Sequence, residues 1–338
     1  MKITEHPELK SLNTFGVSAS AALLLAIEHE EDILDLPRFD PATDLVLGGG
    51  SNVVLAGNVP GTVFLNRIRG RAIVEDRGDN ALVEVGAGEN WHALVRWSLD
   101  EGLCGLENLS LIPGQAGAAP IQNIGAYGVE LASTLEGVAA WDWRRAAWTY
   151  LAAAECRLGY RDSVFRSGEP ERYLITSIRL RLPRSFTPHL DYPGLAEELT
   201  AANAAQPTAR EVSDAVIRIR QRRLPDPRLH GNAGSFFKNP LVPVELAEEL
   251  SVREPALPRW PHGDQQVKLS AAWLVERCGL KGKRMGGAAV SEQHALVIVN
   301  CGDATGRDVV GLARSVQSAV FEHFGIQLEP EPRIVEFP

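Results

Sequence analysis

The sequence predicts an α+β protein of more than one domain, and three observations carry that prediction. Strand-length apolar or alternating runs recur with amphipathic helical runs between them, but without the strand–helix–strand rhythm of a doubly wound sheet. Residues 110–128, SLIPGQAGAAPIQNIGAYG, are rich in glycine, alanine and proline and almost uncharged, unlike a surface linker or a branched core strand. Residues 183–207 carry Pro183, Pro188, Pro193 and Pro207 around a small Ala/Glu-rich helix and read as a connection between domains. A chain of 338 residues is too long for one small core, which sets the expectation at two or three domains.

The elements follow in order. AALLLAIE (21–28) fits a buried strand and EEDILDL (30–36) a short helix. DLVLGGGSNVVL (44–55) reads strand, glycine turn, strand; 62–66, 71–76 and 81–88 are further strands. WHALVRWSLDEGL (91–103) places Trp91, Leu94, Val95, Ser98 and Leu99 on one helical face, with Asn90 as cap and Gly102 as stop. After the glycine-rich stretch come strands near 135–142 and 145–151, a short helix at 152–156 and an alternating strand at 172–182. TAREVSDAVIRIRQRRL (208–224) is a helix with Val212, Val216 and Ile219 as its apolar stripe and arginines at its C-terminal end, where the dipole favours them. A turn-rich loop (224–240) runs into a short strand at Ser235–Lys238. Helices are expected at 243–251, 271–278 and about 305–324, a buried strand at 294–300, and a final strand in the tail.

Bulk properties exclude several classes. A net charge of −9 argues against a general nucleic-acid binder. The N-terminus has no secretory apolar region, and the longest apolar run, Ala19 to Ile27, is far short of a membrane span. Cys104, Cys156, Cys278 and Cys301 lack CxxC spacing and read as reduced, mostly buried thiols in a cytoplasmic protein. The histidines show no metal-binding pattern, so no metal is expected.

Two glycine-rich turns remain. LGGGSN (47–52) is no dinucleotide fingerprint, because Val53 stands where the third glycine would be and no helix follows. Its backbone N–H groups can form a nest for a pyrophosphate, with Ser51 and Asn52 adding donors, or it is a plain hairpin turn. The 110–128 stretch is either a wall of small residues against a large flat ligand or a buried inter-domain connection. Two such turns together favour an unusually bound dinucleotide.

NTFG (13–16), LGGGSNVVL (47–55), VGAGENWHALV (85–95), GLENLSLIPGQAGAAPIQNIGAYGVEL (105–131), CRLGYRDSVF (156–165), LPDPRLHGNAGSFFKNP (224–240), KLSAAWLVERCGLKG (268–282), HALVIVN (294–300) and LEPEPRI (328–334) together resemble the UDP-N-acetylenolpyruvoylglucosamine reductases, type I branch. The resemblance implies a two-subdomain FAD-binding region of the vanillyl-alcohol-oxidase type plus a third α+β substrate-binding domain. The expected division is 1–66 with the C-terminal strand 325–338, then 67–207, then 220–324. It also implies the reaction: NADPH as co-substrate reduces a non-covalent FAD, whose N5 gives hydride to the β carbon of a UDP-sugar enolpyruvyl ether. The product is the peptidoglycan precursor UDP-N-acetylmuramate. A cytoplasmic monomer is expected, with no nucleic-acid or membrane partner.

Residue by residue, the resemblance makes Arg161 the guanidinium that holds the substrate carboxylate, Ser235 the donor that protonates the α carbon, and Glu331 a carboxylate that must be protonated or Arg-paired during turnover. Without it, Arg161 reads as a surface ion pair with Asp162, Ser235 as a turn residue and Glu331 as an edge-strand charge. Gly48, Gly49, Gly50, Ser51 and Asn52 are expected at FAD. So are Ile112, Pro113, Gly117, Gln122, Asn123, Gly125 and Tyr127, with Arg161 and Arg333 near the flavin. Tyr160, Tyr192, Arg223, Lys238, Asn239 and His294 are expected at substrate. Three positions depart from the family pattern: Arg223 replaces a frequent lysine, His294 a glutamine of some relatives, and Pro332 removes a strand donor beside Glu331. Two competing readings are a flavin oxidase of the same superfamily and a non-catalytic flavin or nucleotide-sugar binder.

Overall fold

The computed structural model describes residues 1–202 and 206–337. Part of the 183–207 connection, residues 203–205, therefore lies outside the described residues. The chain divides into two compact units: 1–7, 21–49 and 59–222 form the first, and 8–20, 50–58 and 223–338 the second.

The first unit holds two sheets, one built largely from residues before 67 and one from residues after it. The smaller has four strands in the order Lys2–Glu5, Ala21–Ile27, Val59–Asn66, Leu45–Leu47. Ala21–Ile27 and Leu45–Leu47 both pair in parallel with Val59–Asn66, and Lys2–Glu5 adds an antiparallel edge. The expected helix at 30–36 is a 3-10 helix, Glu30–Asp35. Phe39, Phe64 and Trp143 pack ring against ring here, the first and last stacked at 5.3 Å. The larger sheet is antiparallel, in the order Ala147–Ala152, Leu135–Asp142, Tyr173–Pro183, Asn80–Gly86, Arg71–Asp76.

Helix α1 (Trp91–Asp100) belongs to this sheet's core. Asn90 Oδ1 accepts from Ala93 N at 2.9 Å, and Trp91, Leu94, Val95 and Ser98 are buried at one-face spacing. Two further helices, α2 (Leu195–Ala201) and α3 (Ala209–Arg223), share a core with Tyr127. The helix expected at 152–156 is absent: Ala152 ends an edge strand opposite Gly137, and the residues after it form turns. Strand pairing outweighs the weak helical preference of a short alanine run.

The second unit carries α4 (Val244–Arg253), α5 (Ala271–Arg277) and α6 (Gly306–Phe324). Its strands Leu241–Pro243, Gln266–Leu269 and Arg259–His262 form one small sheet, and Arg284–Met285, Ala288–Val290 and Ile298–Asn300 another. Only Ile298–Asn300 of the expected 294–300 strand is ladder-paired. The tail strand is Arg333–Val335, parallel to Val53–Leu55. The 44–55 segment is thus no hairpin: its two strands belong to different sheets, and the division between units falls between Gly49 and Gly50.

No helix among the described residues is long and apolar enough to cross a membrane. All four cysteines are unpaired; Cys104 and Cys156 are buried, Cys278 half-buried and Cys301 exposed. Burial pushes the Cys156 thiol up to about 12, which removes it as a nucleophile.

Candidate functional site

The motif blocks gather in two places, one per unit. In the first unit the glycine-rich stretch lies against two others. A Cβ on Gly48 would stand 2.7 Å from Gln115 Oε1, and one on Gly49 would stand 3.4 Å from the Gly114 Cα. A Cβ on Gly117 would overlap Ala87. The Gly117 approach is one that only glycine permits, whereas Gly48 meets the mobile end of Gln115 and Gly49 stands at ordinary contact distance. The residues before and at the start of α1 zip onto the same stretch. Gly117 N donates to Ala87 O at 2.9 Å, Ala116 N to Glu89 O at 2.9 Å and Trp91 N to Gly114 O at 3.1 Å. Trp91 Nε1 reaches Leu109 O at 3.0 Å, and His92 Nδ1 accepts from Leu111 N at 3.0 Å.

The GYRDS turn is anchored to the far end of the stretch. Asn123 Nδ2 donates to Gly159 O at 3.0 Å, Arg161 Nη2 to Gly125 O at 2.7 Å, Ser163 Oγ to Ile121 O at 2.6 Å and Arg166 Nη1 to Gln122 Oε1 at 3.1 Å. Arg161 also lies over the Tyr160 ring at 5.5 Å. Asp162 accepts from Ser163 N and Ser167 Oγ, at 2.8 and 2.5 Å. Leu111, Asn123, Tyr127 and Arg161 all have positive φ, at +58°, +43°, +50° and +53°. Each costs roughly 1–2 kcal/mol in a residue with a Cβ. Such strain persists only where surrounding contacts over-determine it, and it clusters at functional sites.

Tyr127 and Tyr192 meet edge to face at 4.8 Å. Arg220 of α3 lies near both hydroxyls; its Nε is buried with no hydrogen-bond partner among the described residues, and burial pulls its pKa down. Arg218 and Arg222 on the same helix pair with Glu198 instead, Arg218 at 2.6 Å, which holds that carboxyl at about 2. The sequence reading missed Arg220, having assigned the α3 arginines to the helix dipole. The missed signal is its spacing: Val212, Val216 and Arg220 fall on one stripe, and an arginine there faces inward.

In the second unit NTFG braces the GNAGSFFKNP loop. Thr14 Oγ1 donates to Asn232 O at 2.6 Å, Asn300 Nδ2 to Phe15 O at 2.8 Å, and Phe15 and Phe236 meet at 6.3 Å. The expected Ser235–Lys238 strand exists only as single pairings, Ser235 with Val297 and Phe237 with Pro330. Phe236 N donates to Leu296 O at 2.7 Å, and Phe236 O accepts from Glu331 N at 2.8 Å. Ser235 and Glu331 are thereby brought onto neighbouring rungs. Asn52 joins them: its Nδ2 donates to Glu331 O at 3.3 Å and its carbonyl accepts from Arg333 N at 3.0 Å. Residues 331 and 333 are the donors, so the missing N–H of Pro332 falls on the off-beat and the ladder stays intact.

Lys238 pairs with Glu329 at 2.9 Å, and Asn239 Oδ1 takes the free Ala271 N–H of α5 at 2.9 Å. His294 Nδ1 accepts from Leu296 N at 3.2 Å. Burial, with Arg223 and Lys281 nearby, lowers its pKa. Arg161 belongs to the first unit, and Ser235 and Glu331 to the second.

The wall offers a cofactor one unsatisfied buried acceptor. Glycines 48 and 49 pack directly against Gly114 and Gln115, and the buried Gln115 Oε1 has no donor among the described residues. Comparison with known proteins gives the class first: residues 21–144 match the family described as FAD binding domain, so the first unit is of the FAD-binding class. Residues 226–335 match the UDP-N-acetylenolpyruvoylglucosamine reductase C-terminal domain. A protein of that reductase name from Xanthomonas oryzae is 49% identical over 99% of this chain and 96% of its own. One from Burkholderia lata is 47% identical over 98% and 96%. The crystal structure of the Thermus caldophilus reductase superposes with a TM-score of 0.66 at 29% identity, covering 100% of this chain and 98% of that one. The chain belongs to the UDP-N-acetylenolpyruvoylglucosamine reductase family.

Proposed function

We propose that this chain reduces UDP-N-acetylglucosamine enolpyruvate to UDP-N-acetylmuramate, using NADPH as co-substrate and a non-covalently bound FAD. The observation that carries this reading is the near-full-length likeness to reductases of that name, in a chain that keeps Arg161, Ser235 and Glu331 and the fold that holds them.

Gly48 to Asn52, Ile112, Pro113, Gly117, Gln122, Asn123, Gly125 and Tyr127 would hold the cofactor, with Arg333 nearby. When bound, FAD supplies the hydride chemistry. The protein's share is placement and charge control. Arg161, fixed through its bond to Gly125 O, takes the substrate carboxylate in a charge-assisted pair and stays charged as negative charge grows beside it. Ser235 gives its proton to the α carbon. Glu331 lies on the neighbouring rung, where a protonated or Arg-paired carboxyl avoids repelling the substrate carboxylate. Tyr192, with Arg220 behind it, receives the substrate diphosphate; a buried guanidinium without an anion is costly, and an incoming phosphate relieves that cost. Arg223, His294, Lys238, Asn239 and Tyr160 complete the substrate contacts.

The purified chain is expected to be yellow, with flavin absorbance near ~450 nm. Anaerobic NADPH should bleach it and the enolpyruvyl substrate should restore it. Restoration by oxygen alone with stoichiometric peroxide, and none by substrate, would instead indicate an oxidase.

A further inference from the structure

We propose that His92 is a positioning residue for the cofactor wall: its Nδ1 holds the Leu111 N–H and so fixes the left-handed turn that aims Ile112 and Pro113. The inference rests on the reading above that this wall faces FAD. The sequence reading placed His92 only as an unremarked member of α1.

The geometry is a three-point clamp. Trp91 Nε1 holds Leu109 O, His92 Nδ1 holds Leu111 N and Trp91 N holds Gly114 O, at 3.0, 3.0 and 3.1 Å. Leu111 sits between the outer two points with φ +58°, a conformation that leucine does not choose by itself. Releasing the middle point leaves a half-buried N–H without an acceptor and lets Leu111 return to ordinary backbone, which would swing Ile112 and Pro113.

Only a neutral imidazole can accept this bond, since both nitrogens donate when the ring is charged. The surroundings keep it neutral. His92 lies in the first turn of α1, where the helix dipole disfavours a cation. Arg96, one turn along and paired with Asp214 at 2.6 Å, faces it, as does Arg220 from α3. The wall segment Leu109–Gly114 contributes no titratable group. Burial and the two arginines lower the imidazole pKa from its ordinary 6.5. By linkage, the clamp is fully present above about pH 6.5 and is lost as pH falls through the lower folded-state value.

The test uses the full chain stripped of FAD and three proteins: wild type, His92→Asn and His92→Leu. Asparagine places an amide oxygen where Nδ1 stands and cannot titrate. His92→Leu is expected to weaken FAD binding about tenfold and His92→Asn less than about twofold. Amide exchange of Leu111 in the FAD-free chain provides the second readout. Its protection should fall at least about tenfold in His92→Leu, fall in wild type as pH is lowered from the ordinary imidazole value through the depressed one, and stay flat in His92→Asn. Wild-type affinity and Leu111 protection in His92→Leu would overturn the proposal. So would equal acid sensitivity in wild type and His92→Asn, a comparison that stands even if His92→Leu does not fold. Failure of every protein to bind FAD, with Leu111 still protected by His92, would overturn the FAD reading while leaving the clamp intact.

Discussion

At the scale of single residues, the sharpest contrast lies along α3. Arg218 and Arg222 are ordinary partners of Glu198, whereas Arg220 carries its charge into a buried place near Tyr127 and Tyr192, its Nε without a partner among the described residues. A buried charge of this kind costs stability, and a bound anion would offset that cost. Arg220→Met is therefore expected to leave the stability of the ligand-free protein unchanged or raise it by about 1–2 kcal/mol. The same change should raise KM for the UDP-sugar at least about tenfold. Thermal melts and steady-state kinetics check both; a large loss of stability with an unchanged KM would assign Arg220 to the core instead. The charge reading of α3 failed in the sequence because composition weighs arginines alike, while helical phase separates them. Arg161 shows the converse. Its motif marked it out, but its positive φ and its bond to Gly125 O depend on residues 36 positions away, which no local pattern contains.

At the scale of elements, what was legible is what local rules settle. The helices at Trp91, Ala209 and Gly306 carry an apolar stripe, and those at Trp91 and Gly306 also carry an asparagine or threonine cap, so their ends came out within a residue or a few. Segments whose pairing depends on distant partners were legible only in part. Ser235–Lys238 pairs on two sides by single rungs, and 44–55 is strand, glycine turn, strand as expected, but a glycine turn between two apolar runs has the same local pattern whether or not the runs pair. That glycine loop offers its own test. Gly50 has φ +62°, and a Cβ there would overlap the Leu12 carbonyl oxygen, so Gly50→Ala should cost about 2–4 kcal/mol. Gly57→Ala, with nothing within 4 Å of the new methyl, should change stability by less than about 1 kcal/mol. Equal effects in urea melts would mean that the loop is not held as described.

At the scale of the whole molecule, the resemblance blocks divide between the two units, with 47–55 split between them. Those at 85–95, 105–131 and 156–165 build the wall and the Arg161 turn in the first unit; those at 13–16, 224–240, 294–300 and 328–334 build the single pairings around Ser235 and Glu331 in the second. Acid stability should report on the first unit's Arg218–Glu198–Arg222 cluster. A carboxyl held at about 2 adds stability that is complete above the ordinary 4.5 and lost as pH falls from there toward 2. Arg218→Ala combined with Arg222→Ala should flatten that part of the stability–pH curve; an unchanged curve would place the titrating group elsewhere. The account's central claim is that Ser235 supplies the proton that completes substrate reduction and takes no part in charging the cofactor. Stopped-flow absorbance of Ser235→Ala separates the two halves. The account predicts anaerobic bleaching by NADPH at the wild-type rate, and return of colour on adding the enolpyruvyl substrate slowed about 10²–10⁴-fold. Equal slowing of both halves, or normal return of colour, would contradict it.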